Sequence, residues 1–161
     1  MNLKEFNACV DKHADGVYRF ILKNVRDEDK ARDIVQDTFE KMWMKVEEIS
    51  PEKARSYLFT AAYHTMIDSI RKDRFQTVMT EEAHNVHSHY DEYRGLKDIL
   101  DEALSRLPEI QRSVILLRDY EGYSYQEIGE ITSLNEAQVK VYIYRARTFL
   151  KNYIGSLDKV L

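Results

Sequence analysis

Two capping boxes lie close together near the C-terminal end of the chain. Ser124 is followed three residues later by Glu127, and Asn135 is followed three residues later by Gln138. In a capping box the first side chain bonds the backbone of the helix start and the later one reaches back, so each pair predicts a helix beginning. Two beginnings this close leave room for one short helix and a break at residues 133–135. The spacing therefore predicts a helix-turn-helix, whose second helix begins just after Asn135.

That second helix has one apolar face and one basic face. Its apolar side chains recur at helical spacing and should pack on the preceding helices: Val139, Ile143, Ala146 and Leu150. The outward side chains are Ala137, Lys140, Val141, Tyr144, Arg145 and Thr148, with Arg147 on the flank. Residues 140–151 contain four basic side chains and no acid. Such a helix fits the major groove of DNA, where cations neutralise phosphates and the N-terminal outward residues reach base edges. An ordinary solvated helix is the alternative.

Composition favours an all-α protein. Only five Gly and two Pro occur in 161 residues, and long stretches contain neither. No apolar run is long enough to span a bilayer, and the N-terminus lacks the apolar core of a signal peptide. The single Cys9 cannot form an internal disulfide, which fits the cytoplasm, and its place on the helical face of Phe6 predicts a small buried side chain.

We expect two small helical domains joined by a flexible linker. Helical spacing runs through residues 1–75 and resumes over residues 96–161, whereas residues 76–95 lose periodicity and gather polar side chains. The net charge of the chain is −4. Residues 1–75 sum to zero and the linker carries −3, although the outward helix is locally basic. This balance predicts weak binding to free DNA and favours DNA binding that a partner protein assists.

The first two helices each have an apolar core face. The first face comprises Phe6, Val10, His13, Val17, Phe20 and Ile21. The second comprises Ala31, Ile34, Val35, Thr38, Phe39, Met42, Trp43 and Val46. The outward side of the second helix carries the acidic strip, defined as Asp33, Gln36, Asp37 and Glu40. From the residues alone, a solvated helix face is the simplest interpretation of the acidic strip.

The third helix combines aromatic and basic side chains. We expect it to start at Ser50 and Pro51, with Ser as N-cap and Pro in the first helical position. The aromatic side chains Tyr57, Phe59, Tyr63 and His64 precede a basic end formed by Arg71, Lys72 and Arg74. Exposed aromatic side chains beside cations hold unstacked bases of single strands, although core residues with a solvated tail give the same pattern.

No metal, cofactor or catalytic site is expected. His84, His87 and His89 in the linker have no Cys beside them, and their spacing fits no zinc module. The sequence contains no evident nucleophile–base pair, glycine-rich phosphate loop or paired catalytic carboxylates. We therefore do not expect the chain to be an enzyme.

Taken in order, four motifs resemble the extracytoplasmic-function (ECF) group of bacterial RNA polymerase sigma factors. The motifs are DIVQDTFEKMW at residues 33–43, ARSYLFTAAYHTMIDSIRK at 54–72, LPEIQRSVILLRDYEGYSYQEIGEI at 107–131 and VKVYIYRAR at 139–147. The resemblance covers nearly the whole chain except the linker and the last few residues.

The resemblance implies that the acidic strip binds the arginine-rich clamp helices of core RNA polymerase. It also implies that the third helix opens the minus ten promoter element and captures a flipped base, through Tyr57, Tyr63, His64, Arg71, Lys72 and Arg74. His64 stands where the family usually has Asn, and Tyr57 where Trp is common. The family's enzymatic chemistry belongs to the polymerase.

The C-terminal part resembles the module that reads the minus thirty-five element and sits on the polymerase flap. The residues implied to contact that element are Gln138, Lys140, Val141, Tyr144, Arg145 and Arg147, and Tyr142 stands where many relatives have Arg. The implied partners are core polymerase, promoter DNA and an anti-sigma protein, for a chain that is monomeric when free. The rival interpretations are a stand-alone helix-turn-helix regulator, which would carry an α/β phospho-acceptor domain, and a helical polymerase-binding adaptor.

Overall fold

The computed structural model describes residues 1–80 and 95–158, and every regular element in this part of the chain is helical. The helices are α1 (Leu3–Val25), α2 (Glu28–Met44), α3 (Ala54–Thr80), α4 (Leu96–Ser105), α5 (Glu109–Ile115), α6 (Tyr125–Thr132) and α7 (Glu136–Asp158). Short 3-10 turns occupy Val46–Glu48 and Pro51–Lys53, and one turn of π-helix, Leu116–Tyr120, continues α5. The expected all-α fold is confirmed for these residues.

Side-chain caps define the first two helices. Asn2 and Glu5 form a capping box at the start of α1, with the Glu5 backbone N–H donating to Asn2 Oδ1 at 2.8 Å. Arg26 ends α1 in the left-handed conformation, with φ 55°. The Asp27 side chain then accepts from the Lys30 backbone N–H and starts α2. Two residues therefore suffice to reverse the chain between α1 and α2.

The core of residues 1–80, the N-terminal half, lies between α1, α2 and α3. Its largest fully buried side chains are Phe20, Ile21, Met42, Leu58, Phe59 and Met66. Cys9 is buried, as predicted. Trp43 was expected in the core but is 46% exposed, because it lies at the last turn of α2; its ring packs against Phe6, with 5.0 Å between ring centroids.

The expected start of the third helix is partly wrong. Pro51 does occupy a first helical position, but in the 3-10 turn, and Ser50 makes no side-chain cap hydrogen bond. The regular helix begins at Ala54. Helix α3 also continues to Thr80, so the predicted linker over residues 76–95 begins within a helix. Residues 81–94, including His84, His87 and His89, lie outside the described residues.

Residues 95–158, the C-terminal half, contain the expected helix-turn-helix. Ser124 and Glu127 form a reciprocal capping box at α6. Asn135 and Gln138 do the same at α7, with distances of 3.0 and 2.8 Å. Ser133 adopts φ 63° in the break between the two helices. Both helix starts predicted from the sequence are confirmed.

Gly129 allows the close approach of α6 to the turn. A Cβ atom on Gly129 would lie 2.6 Å from the Leu134 backbone oxygen, and the Leu134 N–H donates to the Gly129 carbonyl at 3.0 Å. Backbone cannot move aside as a flexible side chain does, so only glycine fits this position without distortion.

Gly129→Ala is therefore expected to lower the free energy of unfolding by about 1–3 kcal/mol, the usual cost of overpacking. Gly155→Ala is the matched control, because no atom lies within 4 Å of its added Cβ, and Ala is the better helix former by about 0.8–1 kcal/mol. Urea unfolding followed by circular dichroism measures both variants. Equal stability of Gly129→Ala and the natural chain would contradict the close approach.

The two halves pack against each other through α1 and α3 on one side and α4, α5 and α6 on the other. The aromatic rings of Phe20, Phe59 and Tyr123 form a chain across this junction, with centroid distances of 5.7 and 5.6 Å. The buried apolar residues of both halves consequently form one continuous core. None of the described helices is both long and apolar enough to cross a membrane.

Candidate functional site

The acidic strip is exposed along one face of α2. Its four residues are spaced by three, one and three positions, which places them on the same side of a helix. The carboxylates of Asp33, Asp37 and Glu40 form no ion pair with any described residue. The neighbouring Lys41 turns toward α3 instead, and its Nζ donates to Thr65 Oγ1 at 2.7 Å. The acidic strip therefore presents uncompensated negative charge to the solvent.

The residues implied to bind the minus ten element fall on two different faces of α3. Tyr57, His64 and Arg71 are seven residues apart and share one face, with Tyr57 half-buried and the other two exposed. Lys72 is exposed beside Arg71. The remaining two residues, Tyr63 and Arg74, are eleven residues apart and share the second face.

That second face points toward the C-terminal half. Tyr63 is only 7% exposed, and burial together with the negative charge of Glu109 raises its pKa to about 12. Arg74 pairs with the same Glu109 at 3.6 Å. The burial of Tyr63 fits the core interpretation of the aromatic side chains of the third helix, and its implied contact with the minus ten element stays a prediction.

Helix α7 presents the outward face that its periodicity predicts. The inward side chains Val139, Ile143 and Ala146 are buried. The exposed side chains are Gln138, Lys140, Val141, Tyr144, Arg145 and Arg147. Val141 and Tyr144 are exposed apolar side chains, at 45% and 72%. Apolar side chains on this face can contact thymine methyl groups, while the cations can contact phosphates or guanine.

The cations of this face differ in how they are held. Arg147 forms an ion pair with Asp119, 2.6 Å between Nη2 and Oδ1, and this hydrogen bond raises the pKa of the guanidinium. Lys140 lies 3.6 Å from Glu136 and 5.7 Å from the centre of the Tyr125 ring. Arg145 makes no hydrogen bond or ion pair with any described residue. Arg145 is therefore the outward cation that is most available to a ligand.

Sequence reasoning missed two residues beside this face. Arg118 lies over the Tyr125 ring, 4.6 Å from its centroid, and donates to the Tyr123 carbonyl. Tyr125 is the first residue of α6, directly after the N-cap Ser124. Its position next to a predicted capping box is the signal that could have placed Tyr125 near the start of the helix-turn-helix. Together with Lys140, these residues extend the basic and aromatic surface of α7 onto the start of α6 and the π-helical turn after α5.

Comparisons with known proteins agree with this geometry. The family model described as Sigma-70 region 2 matches residues 9–76, and the model described as Sigma-70, region 4 matches residues 97–150. The two matches correspond to the N-terminal and C-terminal halves of the structure. The first includes the acidic strip and most of α3, and the second includes the helix-turn-helix.

Individual proteins give the same result. The chain is 33% identical to RNA polymerase sigma factor SigV of Bacillus subtilis (strain 168), over 93% of this chain and 91% of SigV. It is 28% identical to ECF RNA polymerase sigma factor SigM of the same organism, over 86% and 88% of the two chains.

A solved structure with a similar fold is the sigma factor RpoE of Bartonella quintana in complex with the anti-sigma factor NepR. The TM-score is 0.83 at 25% identity, covering 95% of this chain and 98% of RpoE. The resemblance seen in the four sequence motifs is confirmed along almost the entire chain. The chain belongs to the extracytoplasmic-function group of RNA polymerase sigma factors.

Proposed function

We propose that this sigma factor binds core polymerase through the acidic strip and reads promoter DNA through separate faces of α3 and α7. The observation that carries the proposal is the separation of charge between exposed helices. The strip on α2 is acidic and unpaired, whereas the outward face of α7 is basic and free of acids over residues 140–151. A single partner of one charge would not be complementary to both faces. An arginine-rich protein would be complementary to the acidic strip, and a DNA duplex would be complementary to the outward face of α7.

The acidic strip suits the polymerase clamp helices. Four side chains on one rigid helix present a fixed row of acceptors to arginine side chains. The core of the N-terminal half holds α2 in place through the buried Ile34 and Met42. The helix that carries the four side chains is therefore already formed before polymerase binds. Complementary charge of this kind raises the association rate and fixes the register of the two helices.

The outward face of α7 suits the minus thirty-five element. Gln138 and Val141 lie near the N-terminal end of the helix, which is the end that reaches base edges in a helix-turn-helix. Arg145 is free to contact a guanine or a phosphate, and Tyr144 adds an exposed hydroxyl and ring. Arg147, held by Asp119, is better placed for a fixed phosphate contact than for base reading.

The minus ten element is assigned to α3. His64, Arg71 and Lys72 are exposed and form the accessible part of this site, with the half-buried Tyr57 on the same side. His64 can stack on an extruded base and donate a hydrogen bond to it. Arg74 is exposed as well, beside its ion pair with Glu109, whereas Tyr63 is buried.

The proposed roles require no catalytic site in this chain, because the polymerase carries out the nucleotide chemistry. Since the sigma factor acts together with polymerase, we expect it to work in the cytoplasm. A regulatory partner is also proposed. The similar RpoE protein is held in a complex with an anti-sigma factor, and we expect a protein of that class to bind this chain.

Polymerase-dependent capture of DNA tests the proposal. Genomic DNA fragments are incubated with the chain alone, with core polymerase alone, or with both, and the retained fragments are sequenced. A chain of net charge −4 should retain little DNA alone, whereas the mixture should enrich fragments sharing two spaced elements. Equal enrichment by the chain alone would favour a stand-alone regulator. Failure of the mixture to enrich any fragment set over core polymerase would contradict the proposed function.

A further inference from the structure

Helix α3 ends in exposed apolar side chains that belong to none of the proposed binding faces. The apolar end of α3 is defined as Phe75, Val78 and Met79, which are 64, 77 and 68% exposed. Val78 and Met79 follow Phe75 by three and four residues, so all three lie on one side of the helix. Among the described residues, the packing of α3 against the core ends at Ile70. The apolar end therefore extends beyond the core as an exposed surface.

This surface continues the accessible face of the proposed minus ten site. Phe75 follows Tyr57 by eighteen residues, which is five turns of an α-helix, so the two residues lie on the same side. Val78 follows Arg71 by seven residues and lies on that side as well. A DNA strand that contacts Tyr57, His64 and Arg71 consequently reaches the apolar end when it continues along α3.

The charges beside the apolar end match those of a nucleic-acid contact. Three exposed cations immediately precede it: Arg71, Lys72 and Arg74. The acid among them, Asp73, is paired with Lys30 of α2. Another acid, Asp68, lies about one turn before the cations, and residues 75–80 carry no charge. Cations beside an apolar surface are complementary to DNA, which offers phosphates together with apolar groups on its bases.

Distance places the apolar end upstream of the minus ten element. Eleven residues separate His64 from Phe75, which is about 17 Å along the helix, or about five base pairs of duplex. The C-terminal end of α3 leads to the half that is proposed to read the minus thirty-five element, so this end of the helix faces upstream. The apolar end consequently meets paired DNA, several base pairs before the base that His64 would capture.

Apolar side chains distinguish between base edges. In the major groove, thymine presents an apolar methyl group, whereas the other edges present hydrogen-bond donors and acceptors. Phe75, Val78 and Met79 carry no hydrogen-bond donor and no strong acceptor, so covering a guanine or cytosine edge would leave its polar groups without partners. Covering a thymine methyl group removes apolar surface from water, which is favourable.

We propose that the apolar end of α3 binds the promoter duplex directly upstream of the minus ten element, where it contacts thymine methyl groups. This inference rests on the proposed function. It adds to that function a third contact with the promoter, whose ligand is a paired segment between the two elements. The neighbouring Arg71 and Lys72 bind the phosphates of this segment.

Exchange of thymine for uracil tests this contact, because it removes the methyl group and leaves base pairing unchanged. A promoter fragment selected by the holoenzyme is prepared with only A·T pairs over roughly ten base pairs, about one helical turn, directly upstream of the minus ten element. A second fragment carries uracil in place of every thymine in that segment. The natural chain with core polymerase should bind the uracil fragment about fourfold more weakly for each methyl group that it contacts.

A triple variant, Phe75→Ala with Val78→Ala and Met79→Ala, tests whether the apolar end makes this contact. It should bind the two fragments with equal affinity. The three side chains are exposed and Ala is the best helix former, so α3 should remain intact. Thr77→Ala is the matched control, because Thr77 is exposed in the same turn on the opposite side of the helix. This control should keep the full preference for thymine.

Two results would overturn the inference directly: equal binding of the two fragments by the natural chain, or a preference for thymine that persists in the triple variant. A loss of affinity for core polymerase without DNA would assign the apolar end to the polymerase and would overturn it too. Scrambling the minus ten and minus thirty-five elements in the same assay tests the proposed function separately. Binding that is insensitive to both elements would contradict the proposed function, whatever the effect of uracil.

Discussion

Core polymerase is expected to bind the Asp37→Lys variant about 10- to 100-fold more weakly than the natural chain. Asp37 lies at the centre of the acidic strip, is exposed, and has no ion-pair partner among the described residues. The substitution removes an attraction for the arginine-rich clamp helices and adds a repulsion. Lysine is a good helix former, so α2 should remain intact. Titration of labelled core polymerase with each variant measures the effect.

The matched control for this prediction is Asp11→Lys. It makes the same change of charge at an exposed residue of α1, outside the acidic strip. We expect its affinity for polymerase to stay close to that of the natural chain. Equal affinity of Asp37→Lys and the natural chain would show that the acidic strip is not part of the interface. An equal loss of affinity in both variants would show that the effect comes from the net charge of the chain and not from the position of Asp37.

Arg145→Ala is expected to impair recognition of the minus thirty-five element much more than recognition of the minus ten element. Arg145 is the outward cation of α7 with no hydrogen bond or ion pair to a described residue, so its loss should leave the fold unchanged. A bidentate contact to a base contributes about 1–3 kcal/mol, which corresponds to about a 5- to 150-fold loss of binding. Competition between natural and element-substituted promoters, with the reconstituted holoenzyme, measures the two effects separately.

Lys151→Ala provides the comparison for Arg145→Ala. It removes a positive charge from an exposed position of the same helix, about 1.7 turns farther from the N-terminal end. We expect a smaller loss that does not depend on sequence, as for a residue that at most contacts phosphates. Equal losses at both promoter elements in Arg145→Ala would contradict the assignment of the outward face.

Local sequence patterns predicted the helix-turn-helix well. Capping boxes involve residues three positions apart, so Ser124 with Glu127 and Asn135 with Gln138 could be identified without any knowledge of tertiary structure. The same holds for the faces of α7, because helical periodicity alone separates Val139 from Lys140. The exposure of each face then follows from the packing of α7 on α4, α5 and α6.

Long-range contacts could not be predicted in this way. Asn24 and Arg112 are 88 positions apart, and nothing in either local sequence marks them as partners. The same is true of Arg55 and Glu121, which are 66 positions apart. The burial of Tyr63 agrees with the core interpretation that the aromatic spacing allowed, whereas its implied place in the minus ten site came from the family resemblance and not from the spacing. The sequence thus indicated which helices form. The structure shows which face of each helix is buried against another helix.

Run-off transcription tests the account most directly. Purified core polymerase is supplied with a promoter fragment selected by the holoenzyme, with and without the chain, and the RNA products are measured by length and 5′ end. We predict a product of defined length that appears only when the chain is present and that is lost when either promoter element is scrambled. A product that is independent of the chain, or no promoter-specific product at all, would contradict its role as a sigma factor.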